Sequence, residues 1–201
     1  MSKLTQQTLD KVLPWLLVIG GFIGLGASFT LTVEKIELLK NPAHHLSCSL
    51  NPVLSCGSII ASKQASAFGF ANPIIGLIGF AVVITVGMGI LAGAKYKKWF
   101  WQGLQIGTLL GLVFVHWLFY QSLYVIGALC IYCMIVWAVT IAMFWYTLLY
   151  NLRVGNIRTP KACKSTVAFA SKHHGEILIL WYLLIFFAIV VRFWYYWSTL
   201  I

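Results

Sequence analysis

The sequence predicts an all-α integral membrane protein. Three observations carry that prediction. Five apolar runs are each long enough to cross a bilayer. The composition is 61% hydrophobic and only 9% charged, with a mean hydropathy of +0.90, whereas soluble domains are nearer half apolar and about a quarter charged. The cationic residues are confined to short segments between the runs. A spanning helix takes about 20 apolar residues, so the 201 residues hold one membrane domain and little else.

The first run covers roughly 12–33, behind Lys3 and Lys11. At 1.5 Å per residue it measures about 31 Å. That is too long for a signal-peptide core, and no small-x-small cleavage site follows, so it reads as a retained helix. A mostly polar loop, 34–72, comes next, with turns at Asn41-Pro42, Asn51-Pro52 and Asn72-Pro73. Within it, segment 57–68 sets Ile59, Ile60 and Ala61 beside Ser62, Lys63 and Gln64. Such a mixture fits a half-helix lying at the membrane surface. Run two, 73–94, starts with Pro73 in a favoured first-turn position and stops at Lys95, Lys97 and Lys98. Run three is 99–126. Almost no polar loop separates it from run four, about 128–152. Gly76, Gly79, Gly87, Gly89 and Gly93 in run two, with Gly103, Gly107 and Gly111 in run three, predict close helix packing through small residues. A basic loop then leads to run five, 177–197. Its aromatic end, Phe193-Trp194-Tyr195-Tyr196-Trp197, reads as an interfacial belt. The chain thus divides into a bundle, 1–152, and a basic loop with a fifth helix, 153–201.

Charge sets the orientation. Lys3, Lys11, Lys95, Lys97, Lys98, Arg153, Arg158, Lys161, Lys164 and Lys172 fall on one side, ten against the four of Lys35, Lys40, Lys63 and Arg192 on the other. The richer side is cytoplasmic by the positive-inside rule. The N-terminus is then inside, in a multi-pass protein of the cell (inner) membrane, and the long loop faces outward. The net charge of +10 does not indicate nucleic acid, because no basic face with interleaved aromatics exists outside the spans.

Four cysteines fall into two outward pairs: Cys48 and Cys56 in the loop, Cys130 and Cys133 as a C-x-x-C opening run four. The outer compartment is oxidising, where static cross-links persist. The C-x-x-C spacing instead suits an exchangeable disulfide, and a helix N-terminus favours the thiolate of Cys130. Two dithiols on one face of a membrane can pass electron pairs, which makes a membrane thiol-disulfide oxidoreductase the leading reading. No haem, flavin or nucleotide signature appears, so a membrane quinone is the natural electron sink. A zinc set of His44, His45, Cys48 and Cys56 lacks its second ligand pair, and no metal is expected. The alternative from another class is a non-catalytic membrane protein or small transporter with structural disulfides bracing its outer loop. Charged residues inside spans would mark a transporter, but only Arg192 and the lone His116 qualify, the latter reading as a packing residue. Cys163, in the basic loop, plays no part.

The stretch 48–62, CSLNPVLSCGSIIAS, then Ala67-Phe-Gly-Phe-Ala-Asn72-Pro, then Cys130-Ile-Tyr-Cys133, resembles the vitamin K epoxide reductase family, most closely its bacterial members. The resemblance covers roughly 12–152, four of the five spans. It implies a four-helix bundle around a quinone (menaquinone or ubiquinone), capped by the outer loop and half-helix. By matching position, Cys48 faces a thioredoxin-fold partner that attacks a Cys48–Cys56 disulfide. Cys56 then exchanges with Cys130, and Cys133 acts at the quinone ring. Ser62 matches a serine that supports the site, and Asn72 an asparagine that hydrogen-bonds a quinone oxygen. Read without the resemblance, Ser62 is an exposed helix residue and Asn72 a turn residue before Pro73. Many bacterial relatives carry a fused thioredoxin-like domain. Here only a basic loop and a fifth span follow, so the resemblance implies a thiol oxidase partner in trans. Trp137 stands four residues after Cys133, where the vertebrate enzymes have a tyrosine. Indole donates at a different reach, which tells against epoxide reduction and leaves plain quinone reduction intact.

Overall fold

A computed structural model describes residues 3–41, 46, 48–49, 51–160 and 163–199, with side chains from Lys11 onward. His44, His45, Pro42 and Lys161 lie outside these residues, as does the side chain of Lys3. The chain forms α1 (Lys3–Lys40), α2 (Cys56–Ala61), a 3-10 turn (Lys63–Ser66), α3 (Pro73–Leu91), α4 (Lys98–Tyr120), α5 (Ile131–Val154), α6 (Lys164–Lys172), α7 (His174–Arg192) and α8 (Trp194–Trp197). Among these, α1, α3, α4, α5 and α7 are long and apolar enough to span, which makes this a multi-pass membrane protein.

The boundaries depart from the sequence reading in three main places, each for a local reason. Residues 34–40, expected in the loop, continue α1. Lys, Glu, Leu and Ile are adequate helix formers, and nothing breaks the helix before Pro42, whose ring disfavours helix in the residue preceding it. Run three ends at Ile126 as expected, with its last residues, Gln121–Ile126, in a wider π turn that closes at Gly127, whose φ of 71° suits a residue without Cβ. The basic loop holds α6. Run five breaks at Phe193. Phe193 therefore leaves the aromatic belt and is fully buried, while Trp194 and Tyr195 remain exposed.

Helix α1 packs along α3 and against α5, and α4 packs on α5. Small residues set the first of these seams. A Cβ on Gly24 would run into the Phe80 ring, one on Gly76 into Ser28 Oγ, and one on Gly87 would lie 3.0 Å from Pro14 O. Gly79, Gly103 and Gly107 behave differently from expectation, because nothing lies within 4 Å of where their Cβ atoms would be. They border a cavity that separates α3 from α4. Gly24→Val should cost about 1–3 kcal/mol, the range for overpacking a tight core, whereas Gly107→Val should leave stability unchanged. Thermal unfolding of both variants in detergent checks the contrast.

Candidate functional site

The site is assembled from two loops that meet at the end of the bundle where α1 finishes and α5 begins. In the first, Asn51 Oδ1 accepts from the Val53 N–H at 3.0 Å and the Leu54 N–H at 2.7 Å. This side-chain turn directs 53–55 back onto the bundle. The second loop, 127–130, is fixed by the Gly127 and Ala128 N–H groups, which both donate to Ser122 O, and by Ser122 Oγ, which donates to Ala128 O. The loops then pair. Leu129 N donates to Val53 O at 2.7 Å, and Ser55 N donates to Leu129 O at 2.9 Å. Each loop continues directly into a cysteine: Cys56 opens α2, and Cys130 precedes the first turn of α5.

The pairing brings Cys130 Sγ to 3.1 Å from Cys56 Sγ. Cys56 is bonded to Cys48 in a disulfide, while Cys130 and Cys133 are free thiols. The sulfurs of Cys48, Cys56 and Cys130 all lie within 4.8 Å of one another. A metal could draw ligands from such a spacing, but two of the three sulfurs are bonded to each other and offer no thiolates. The donor set is one thiol beside one disulfide, the geometry of exchange. Leu31, Cys48, Cys56, Ile60 and Cys130 form one buried cluster, with Leu38 from the added turns of α1 against it. From the same turns Lys35 Nζ reaches across to Ile60 O at 2.7 Å and holds the C-terminal end of α2.

Electrostatics favour Cys130 as the attacking sulfur. The Cys133 thiol donates to it and lowers its pKa below the ordinary thiol range, outweighing burial, which raises it; the N–H groups of Cys133 and Tyr132 act in the same direction as the thiol. A position at a helix N-terminus has that effect generally.

Cys133, one turn into α5, lines the cavity between α3 and α4, which measures about 1080 Å³. Its wall is mostly apolar; Ser62, Gln64, Asn72, Gln121 and Ser122 lie toward the cysteine end, with Thr108 and Thr140 farther along it. Trp137 also lines it, edge-on to Phe119 at 5.4 Å. The structure therefore brings Ser62, Asn72, Cys133 and Trp137 to one cavity, with Cys130, Cys56 and Cys48 in sequence behind it. Asn72 is both a turn residue and a wall residue. Its Nδ2 donates to Gln64 O at 2.7 Å and its Oδ1 accepts from Ala67 N at 2.9 Å, tying the half-helix to the start of α3. Of its two amide hydrogens, one is used in this tie. The Ser62 hydroxyl donates to Ile59 O at 2.7 Å, which fastens the end of α2. Sequence reading passed over Gln121 and gave Gln64 no role. An amide in an otherwise apolar run, near the cysteine end, was the available signal. Cys163 is exposed beside α6, apart from this site.

A family model, the vitamin K epoxide reductase family, matches residues 15–148. The chain belongs to the vitamin K epoxide reductase family. The matched residues run from α1 through most of α5 and take in all four site cysteines, so the protein is an oxidoreductase of the membrane. No curated protein sequence matches the chain. The transporter alternative also loses its two markers. Trp181 Nε1 donates to His116 Nε2 at 3.2 Å, so the proton of that ring sits on Nδ1, 2.9 Å from Leu112 O. Arg192 Nε donates to Leu123 O at 3.0 Å. Both side chains fasten helices together.

Because the Cys133 thiol holds the Cys130 pKa down, exchange at Cys130 should proceed at a lower pH than at an unperturbed thiol. Cys133→Ser keeps a donor and should keep the low midpoint, and Cys133→Ala should move it upward. The pH dependence of Cys56–Cys130 cross-link formation in the two variants, read by alkylation and gel shift, gives the answer.

Proposed function

We propose that the protein reoxidises a thioredoxin-fold partner and delivers the electrons to a membrane quinone, supporting disulfide formation outside the cytoplasm. The 3.1 Å contact between Cys56 and Cys130 carries this reading, together with Cys133 at the cavity wall. In each turn a partner thiolate attacks Cys48 Sγ, and Cys56 leaves as a thiolate. Cys56 then attacks Cys130 Sγ in a Cys130–Cys133 disulfide, which releases Cys133 as a thiolate at the cavity. A second partner thiol resolves the mixed disulfide at Cys48, and the freed Cys48 thiolate attacks Cys56 Sγ, which re-forms Cys48–Cys56 and releases Cys130, so that Cys130 and Cys133 together hold the electron pair. Exchange runs both ways through the same arrangement of sulfurs, so the Cys130 thiol resting on Cys56 serves the forward step as well. A quinone, when bound, supplies the acceptor of two electrons and two protons. The cavity suits it: polar groups for a headgroup lie near Cys133, and a glycine-lined apolar trough between α3 and α4 gives room for a hydrocarbon tail. Asn72, through its second amide hydrogen, and Gln121 are placed to hold a carbonyl oxygen, and Trp137 closes the wall.

In this reading the protein lies in the cell (inner) membrane. The basic segments 95–98 and 153–172, which topology puts at the end away from the cysteines, face the cytoplasm. The partner then acts in trans at the outer surface, and the cavity takes menaquinone or ubiquinone.

Purified Cys133→Ala should lose thiol-driven quinone reduction. Wild-type turnover by that variant would sink the scheme. Cys56→Ser strands Cys48 with no internal partner and should accumulate a mixed disulfide with a soluble thioredoxin-fold protein. A disulfide-braced transporter would trap none. Gly107→Leu fills the trough and should raise the KM for a long-tailed quinone roughly tenfold, as a pocket misfit of one or two methylenes does, with less effect on a tail-less analogue.

A further inference from the structure

The fifth spanning helix lies outside the matched residues 15–148, and no step above uses it. Its end nevertheless grips the loop that carries Cys130. At the close of α4 the N–H groups of Gly127 and Ala128 both go to Ser122 O. The next carbonyl, Leu123 O, is left at a helix end, where the last carbonyls lack partners within the helix. Arg192 Nε, from the last turn of α7, donates to it at 3.0 Å. One residue on, the helix breaks and turns Phe193 inward. Phe193 is 0% exposed and shares a cluster with Val53, Leu123, Leu129 and Trp137. Val53 and Leu129 are the residues whose backbones pair to set Cys56 against Cys130. The rest of α7 gives a contrast, since its spanning window buries none of its residues.

We propose that Arg192 and Phe193 are positioning residues for the thiol exchange: the fifth helix is a strut that clamps 123–129 and so fixes the Cys130 sulfur on Cys56. This rests on the relay reading above. The step it serves is balanced. The Cys130 thiolate attacks Cys56 Sγ, the Cys56–Cys130 bond forms, the Cys48–Cys56 bond breaks, and Cys48 leaves as a thiolate that takes up the proton Cys130 gave up. A positioning role predicts a loss confined to this step.

The test uses the full chain in its own membranes with Cys133→Ser, which removes the resolving sulfur and keeps the hydrogen-bond donor. The sample is held at low pH with Cys48–Cys56 closed, raised to pH 8 and quenched by alkylation at intervals. Phe193→Ala should slow Cys56–Cys130 formation roughly 10- to 100-fold, the scale of a misplacement of about 1 Å. Arg192→Met should slow it as well, and Arg192→Lys, which keeps a donor, should recover most of the rate. Phe187→Ala, a lipid-facing change on the same helix (66% exposed), should match the parent. In otherwise wild-type protein, Phe193→Ala should lower kcat while the quinone KM stays within twofold. Parental rates in both Phe193→Ala and Arg192→Met would overturn the strut and leave the relay standing. So would a loss that tracks quinone KM or thermal unfolding. Should Phe193→Ala fail to fold, Arg192→Met with its lysine rescue decides. If the Cys133→Ser parent never forms the Cys56–Cys130 bond, the relay falls and the strut with it.

Discussion

Two backbone hydrogen bonds between Leu129 and the pair Val53 and Ser55 are the constraint on which the redox site depends. Sulfur exchange needs the reacting atoms within about 3–3.5 Å, and the cysteines concerned lie 74 residues apart in sequence. Side-chain packing alone leaves sulfurs free to slide by ångströms. A backbone pairing one residue away from each cysteine does not. The surrounding devices keep that pairing in register. The Asn51 turn aims one loop, Gly127 and Ser122 set the other, and Lys35 holds the far end of α2.

The same economy explains the helix arrangement. Helix α1 meets α3 closely because glycines let it, and α4 is tied to α5. With α3 held to one side and α4 to the other, the space between them cannot close, and glycines on its border keep it wide. Similar glycines thus do opposite work on two faces of neighbouring helices. Polar side chains could not be placed along such a trough without partners, because unpaired polar groups are costly away from water. Thr108, along the trough, donates its hydroxyl to Gln105 O, and at the cysteine end Asn72 and Ser62 are bonded to the half-helix.

Much of this was legible in the residues. Span number followed from apolar length. The cysteine pairs followed from their spacing, Ser62 and Asn72 from a joint motif and Trp137 as a departure from it, and the structure gathers them at one cavity wall or just behind it. The half-helix was visible in its mixed composition. What was not legible depends on tertiary contacts. Nothing in the sequence tells Gly24, which packs, from Gly107, which faces open space, since the difference lies in what stands opposite. The extension of α1 to Lys40 was hidden by its charges, which suggested solvent until Lys35 was seen reaching Ile60 O. Phe193 read as one aromatic among five, and only the break after Arg192 turns it inward.

The packing that aligns Cys56 with Cys130 also restricts Cys48. Cys48 is only 3% exposed and belongs to the same buried cluster as Cys56 and Cys130. A soluble partner needs Cys48 at the surface, and Cys130 needs the cluster closed. Under the relay reading, the loop must therefore part for one exchange and close for the other. Such mutual exclusion has a chemical use. While the cluster is closed, no oxidised partner reaches Cys48, so electrons already passed toward the cavity do not return outward through it. Opening then requires breaking a local apolar cluster, and the bundle beneath, held by α1–α3 and α4–α5 packing, need not move with it.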